Sequence, residues 1–359
     1  MINPTKLSRV DLFTEIYKDP DRKPILKIFY EFFYLLMIYR EIPKHYFSRY
    51  LFKKGVTNIR DYLPNKFLGE KVTPFFNDKK FKEVLDNKLY FDLFYRQFNI
   101  SLPKILMYNH KKMFVLGDRN IRVDSVGDFR SLLEEIFTLN PSPGSIFIKK
   151  TYSSSSGQTI YKLYPDQLGN YPEILNEIYE EVIRSEFLFQ ETIKQHPEIN
   201  KLNSASVNTI RIDTFINSDG KIDIVSAHIR MSTNNSYVDN ISAGGCFVGI
   251  GLQTGRLKKT GYSSIKFVGA KVFKEHPVTK YVFDNFSIPF FKEVEELVIK
   301  AAGLMSDLRL VGWDVAIGES GPILVEGNSD YEIRGNDFAY GGYLANPVFR
   351  KVLREIHYL

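Results

Sequence analysis

Two apolar stretches, Val311-Gly312-Trp313-Asp314-Val315-Ala316-Ile317 and Pro322-Ile323-Leu324-Val325-Glu326-Gly327-Asn328, flank the polar sequence Gly318-Glu319-Ser320-Gly321. β-Branched residues around a glycine-bounded turn predict a β-hairpin. So apolar a hairpin belongs in a core, yet it carries carboxylates. Side chains alternate along a strand, so Glu326 and Asn328 share one face. A register that sets Asp314 opposite Glu326 brings two like charges together, which is unfavourable unless something neutralises them. Oxygen donors without a nearby Cys or His suit Mg²⁺ shared with substrate phosphates better than zinc. Asp314, Glu326 and Asn328 are therefore the candidate metal ligands.

A chain of 359 residues has room for two or three domains with large cores. Its 44% apolar and 25% charged shares are those of a globular protein and exclude a disordered or fibrous one. The single cysteine, Cys246, leaves no internal disulfide, and MINPTKLSRVDLF lacks the apolar core of a secretory signal, so a reducing, cytoplasmic setting is expected. A net charge of +6 suits small anionic substrates, and the basic residues are too dispersed for a nucleic-acid binder.

Residues 1 to about 65 have helical spacing, in Leu12-Phe13-Ile16-Tyr17 and again from Ile25 to Phe52, and read as an N-terminal helical extension. The aromatic run from Ile25 to Tyr39 contains Lys27 and Glu31 and is too short to span a bilayer. It reads as a helix packed on the fold. The alternative is a helix resting on a membrane surface, possible peripheral contact running through residues 25–54 with Lys44, His45, Arg49, Lys53 and Lys54. Beyond it, Asp78 to Phe98 predicts a helix broken near Asp86-Asn87. A strand at Ile105–Tyr108, a helix at Val126–Leu139, strands at Ser145–Lys149 and Thr159–Tyr164 and a helix at Tyr171–Arg184 follow. Long strands are expected at Val207–Ile216 and Ile222–Met231, then a glycine-rich stretch, a helix at Ile288–Met305, the hairpin and a terminal helix from Pro347. Strands and helices thus mix in an α+β pattern.

Two further groups carry chemistry. Lys149-Lys150-Thr151-Tyr152 and Ser153 to Gly157 lie between two predicted strands, where backbone N–H groups can close over phosphates and a strand-end lysine adds charge. This is no P-loop, since GxxxxGK[ST] is absent, and no G-x-G-x-x-G marks a Rossmann site. On the long strands, Asn208, Arg211, Asp213, His228 and Arg230 interrupt apolar runs, followed by Asp239-Asn240. A buried arginine needs an anion: either a carboxylate such as Asp213 or Asp223, or a substrate phosphoryl or carboxylate group.

In LFQETIKQHPEINKLN, SVNTIRIDTF, AHIRMS, VDNISAGG, HPVT, VGWDVAI and LVEGN the chain resembles the ATP-grasp superfamily, and most closely its sugar-transfer-associated family, from about Asn65 onward. The resemblance implies an α+β ATP-grasp fold, in which two α+β subdomains clamp ATP between antiparallel sheets. It implies a helical extension at 1–65, an N-terminal subdomain at 66–120, a lid subdomain with the phosphate loop at 121–190 and a catalytic subdomain with the Mg²⁺ site at 191–359. It also implies ATP and Mg²⁺ as cofactors, with Asp314, Glu326 and Asn328 on the metal and Lys88 and Lys149 on the α/β-phosphates. Ser154, Ser155, Ser156 and Gly157 would cover these phosphates, and Gln190, Glu191, Thr192 and Ile193 would form the adenine-binding hinge. Arg211 and Arg230 look like ligands of the γ-phosphate and acyl phosphate, with Asn240 beside the metal. The implied activity is a carboxylate-amine ligase acting on a sugar acid or amino acid in bacterial surface polysaccharide, capsule or sugar-conjugate biosynthesis. A phosphotransferase with a hydroxyl acceptor and a non-catalytic scaffold are the alternatives. Small-molecule carboxylate and amine substrates, without nucleic acid, are the implied partners.

Overall fold

Alternation of apolar and polar residues shapes the smaller of two compact units, Glu83–Lys194 with Ile323–Glu326. The computed structural model describes residues 8–139, 142–152, 160–233, 239, 244–266 and 272–359. In the smaller unit, β1 (Ile105–His110), β2 (Met113–Leu116), β3 (Arg119–Arg122), β4 (Ile146–Lys150), β5 (Ile160–Leu163) and β6 (Glu186–Glu191) form a sheet in the order β3-β2-β1-β6-β4-β5. Ile146 and Ile148 of β4 are buried in a core with Phe114, Phe129, Leu133, Phe187 and Phe189. The helices Val126–Phe137 and Pro172–Val182 add Ile136, Ile178 and Val182 to that core. Phe147 and Lys149 alternate onto the other face of β4.

The segment expected to be a broken helix forms two, Lys82–Asp86 and Lys88–Arg96. Asn87 causes the break: its side chain accepts from the N–H groups of Leu89 and Tyr90, at 3.0 and 3.3 Å, and caps the second helix. Such a cap stabilises by roughly 1 kcal/mol.

The larger unit comprises Met1–Lys82, Gln195–Pro322 and Gly327–Leu359. Its strands are β7 (Thr209–Ile216), β8 (Ile222–Met231), β9 (Cys246–Gly251), β10 (Arg256–Ser263), β11 (Val272–Phe273), β12 (Leu310–Gly318) and the two ends of β13 (Gly321–Asn328), whose middle residues Ile323–Glu326 count with the smaller unit. They are ordered β11-β10-β9-β8-β7-β12-β13. Every residue of β7 and of β12 is buried, which explains the near-continuous apolar run of β12 and puts Thr209, Arg211, Asp213 and Thr214 of β7 out of water with its isoleucines. The helix Phe291–Gly303 covers one face, where Gly303 meets Ile222; the helix Ile333–Tyr340 lies on the other, where Asn336 donates to Asp213.

β12 runs through Gly318 and β13 starts at Gly321, so the turn is Glu319–Ser320, and Gly321 has a φ of +138° that suits glycine. The helical spacing expected from Ile25 to Phe52 is interrupted. A first helix, Ile25–Tyr39, stops where Arg40 turns left-handed at φ 53°, and a second, Lys44–Ser48, follows Pro43. These N-terminal helices belong to the larger unit. A buried pair, Arg49 and Asp337 at 2.8 Å, fastens them to the helix Ile333–Tyr340. Among the described residues, no helix is long and apolar enough to cross a membrane.

Candidate active site

Three adjacent strands of the larger unit bring two arginines to one carboxylate. β12 pairs with β7 so that Asp314 lies opposite Arg211, and β7 pairs with β8 so that Arg211 lies opposite His228. Arg230 is two residues beyond His228, on the same face. Arg211 donates through Nε to Asp314 Oδ1 at 2.5 Å and through Nη2 to Oδ2 at 3.0 Å; Arg230 Nη2 donates to the same Oδ2 at 2.7 Å. Asp314 is 2% exposed, and such a carboxylate requires this compensation. Two anions were open for the arginines, a carboxylate such as Asp213 or Asp223 and a substrate phosphoryl or carboxylate group; the carboxylate they meet is Asp314. Asp223 pairs with Lys351 at 2.8 Å and Lys221 at 3.6 Å. Asp213 is held by Ser226, Tyr331, Asn336 and Tyr343.

The network extends past Arg230. Its Nε and Nη2 donate to Thr209 Oγ1 at 3.1 and 2.7 Å, and Thr209 donates its hydroxyl and N–H to Asp239 Oδ2 at 2.5 and 2.9 Å. Thr209 is a residue that sequence reasoning passed over, although it precedes Arg211 by two positions and so shares its face. Burial, reinforced by the two guanidiniums, pulls the His228 imidazole well below its ordinary range, so it remains neutral. Burial raises the carboxyl of Asp239, opposed by Arg230.

The smaller unit holds a second cluster. Lys88, Lys149, Gln190, Asp92, Phe91 and Glu326 line one pocket. Lys88 Nζ is 3.8 Å from Glu326, and the Lys88 N–H donates to the Thr151 carbonyl at 2.7 Å, tying this lysine to the start of the serine loop. Lys150 points to the opposite face, where it pairs with Glu181 at 3.0 Å, so of the two neighbouring lysines Lys149 is the one in the pocket. Of the expected hinge, Gln190 lines this pocket. The N–H groups of Glu191 and Thr192 are bonded to the carbonyls of Lys104 and Ser145, at 3.0 and 3.2 Å, and Ile193 follows them. Contacts from Glu191 or Thr192 to a base edge therefore do not use their N–H groups.

The expected metal ligands divide between the units: Asp314 and Asn328 lie in the larger, Glu326 in the smaller. Asn328 Nδ2 donates to the Gly312 carbonyl at 3.4 Å, which turns its amide along the strand pair. Among the described residues, no group of three or more His, Cys, Asp or Glu side chains could hold a metal; two carboxylates and an amide form a different set. Ser154, Ser155, Ser156, Gly157 and Asn240 lie outside the described residues. Cys246 is buried and its thiol is pushed up to about 12, so it offers no nucleophile.

A family model described as sugar-transfer associated ATP-grasp matches residues 69–352. The chain belongs to that family. Its fold is the α+β ATP-grasp fold expected from the motifs. Solved structures similar to this ATP-grasp protein include the ATP-grasp ligase PsnB complexed with minimal precursor, Mg and ADP, at 13% identity, TM-score 0.42, with 79% of this chain and 62% of that one covered. D-alanyl-alanine synthetase A from Vibrio cholerae is similar at 13% identity, TM-score 0.44, with 76% and 66% covered. N5-carboxyaminoimidazole ribonucleotide synthetase from Thermotoga maritima is similar at 10% identity, TM-score 0.35, with 69% and 42% covered. The ATP-grasp protein thus spans less than two thirds of the length of each. No curated protein matches it.

Proposed function

We propose that the protein is an ATP-dependent ligase that activates a substrate carboxylate as an acyl phosphate for attack by an amine, in the making of a surface polysaccharide or sugar conjugate. The observation that carries this reading is the convergence of Arg211 and Arg230 on one buried anion, Asp314, in a chain of ATP-grasp family membership. Guanidinium forks so placed fit phosphoryl and carboxylate oxygens.

The reaction needs no side-chain nucleophile. A substrate carboxylate oxygen attacks the γ-phosphorus of ATP, the bond to the β-phosphate oxygen breaks and ADP leaves. An amine then attacks the acyl carbon, loses a proton and displaces inorganic phosphate. Lys88 and Lys149 would hold phosphate oxygens, as their shared pocket supports. Arg211 and Arg230 would take up the charge that develops on the transferring phosphoryl group, where such catalysis chiefly lies. Asp314, Glu326 and Asn328 supply hard oxygen donors and fit Mg²⁺ in chemistry. When bound, Mg²⁺ neutralises phosphate charge. Asp314 accepts three hydrogen bonds from the arginines, so the anion that binds them competes with this carboxylate.

The test is ADP release screened against uronic acids and amino acids with an amine acceptor present, then mass spectrometry of the product. An amide product supports the ligase. A stable phosphate ester makes the protein a phosphotransferase, and no turnover with any acid counts against catalysis.

A further inference from the structure

The helix Ile25–Tyr39 buries only one side. Ile28 and Leu35 face the core, and Glu31, the helix's single acid, turns inward with them, bonded to Lys23 and Tyr46 at 2.7 Å each. Leu26, Phe29, Tyr30, Phe33 and Met37 point outward, with Leu26 84% and Met37 80% exposed. At 3.6 residues per turn these five fall within an arc of about 100°, a stripe roughly 17 Å long. Monomeric proteins rarely leave so large an apolar stripe in water without a use for it.

Charge selects among the uses. No acid stands on the exposed arc, whereas Lys27, Arg40 and Lys44 are exposed at its flank and C-terminal end. Glu41 stands between Arg40 and Lys44, so a second copy docked on this stripe would bring three cations against three with a single carboxylate on each side to receive them. An anionic bilayer surface answers both features. It accepts Leu26, Phe33 and Met37 at the acyl boundary, takes the rings of Phe29 and Tyr30 at headgroup level and pairs the cations with phosphates. We propose that this helix is an in-plane docking face for an anionic lipid bilayer, with Leu26, Phe29, Tyr30, Phe33 and Met37 inserted and Lys27, Arg40 and Lys44 on the headgroups.

Flotation of the full chain with vesicles of phosphatidylcholine alone, or of equal parts phosphatidylcholine and phosphatidylglycerol, tests this. The chain is expected to float with the anionic vesicles. Leu26→Ser with Met37→Ser should lower its bound fraction by more than about tenfold, as should Lys27→Glu with Lys44→Glu. These positions are solvent-facing, so the thermal unfolding of both variants should match that of the parent. Failure of the parent to float with anionic vesicles, or flotation of the serine variant equal to the parent's, overturns the proposal. A parent that does not float and elutes as a dimer, with the serine variant monomeric, assigns the stripe to a second copy and overturns it equally.

Discussion

Asp314→Asn removes a charge that two buried guanidiniums share. The native carboxylate accepts at 2.5 and 3.0 Å from Arg211 and at 2.7 Å from Arg230. An amide offers one oxygen and an NH₂ group in the same space, so at least one guanidinium faces a donor and both lose their counter-charge. Breaking a buried pair from one side costs about 3–5 kcal/mol. One acceptor remains, and Asp239 stands 3.9 Å from Arg230, which favours the lower end, about 3 kcal/mol. For a unit of this size that lowers Tm by roughly 6–12 °C. Glu326→Gln is the contrast: its partly exposed carboxylate is 3.8 Å from Lys88, and such a pair is worth about 0–1 kcal/mol. Calorimetry of both full-length variants, beside an ADP-release assay, should find ATP turnover lost in each but a large fall in Tm only for Asp314→Asn. An unchanged Tm in that variant refutes the stabilising role given to the arginine clamp. Undiminished turnover in both refutes the metal-site assignment.

Lys149→Met should raise the KM for ATP by about tenfold to a hundredfold, the value of a hydrogen bond to a charged group, while Lys150→Met, whose partner is Glu181, should leave it unchanged. Steady-state kinetics decides, and the reverse order moves the phosphate contact to Lys150. His45 is buried, neither ring nitrogen meets a hydrogen-bond partner among the described residues, and burial together with nearby Arg49 lowers its pKa to about 3. As pH falls through about 6.5 the unfolded chain gains a proton that the folded chain refuses, so stability drops from there down to about pH 3. His45→Leu should therefore stabilise by about 2 kcal/mol more at pH 5 than at pH 8, read from urea midpoints, and an equal gain at both refutes the neutral buried histidine.

Local chemistry made much of the fold legible. The strand Ile222–Met231 has the bounds its alternation and the preceding Asn217-Ser218-Asp219-Gly220 turn predicted, and the helix break near Asn87 followed from a residue that caps better than it continues. Six strands escaped, among them Glu186–Glu191, which was read only as the approach to a hinge, Cys246–Gly251, which was read only as a glycine-rich stretch, and the two-residue Val272–Phe273. Met113–Leu116 and Arg119–Arg122 are short, and Arg256–Ser263 buries only Leu257, Gly261 and Ser263 while Lys258 and Lys259 are exposed, so no apolar run announced these three. The polar residues worth attention in the site were visible as arginines and carboxylates in apolar strands. Their partners were not, because Arg211 meets Asp314 only through the β7–β12 register, across 103 positions of sequence. Asp213, two residues from Arg211, looked the nearer partner and is instead committed to two tyrosines, a serine and an asparagine.

Gly312 has a consequence for how sequences of this kind can drift. A Cβ there would lie 2.6 Å from the ring of Tyr331, whose hydroxyl donates to Asp213 at 3.0 Å. The missing side chain and the distant ring are two halves of one fitted joint. A chain that replaces the glycine must also surrender the ring or shift it off the carboxylate. Across relatives, positions 312 and 331 should therefore change together, glycine with an aromatic residue and a larger residue with a small one. An alignment in which the two vary independently would mean that the joint is an accident of this sequence.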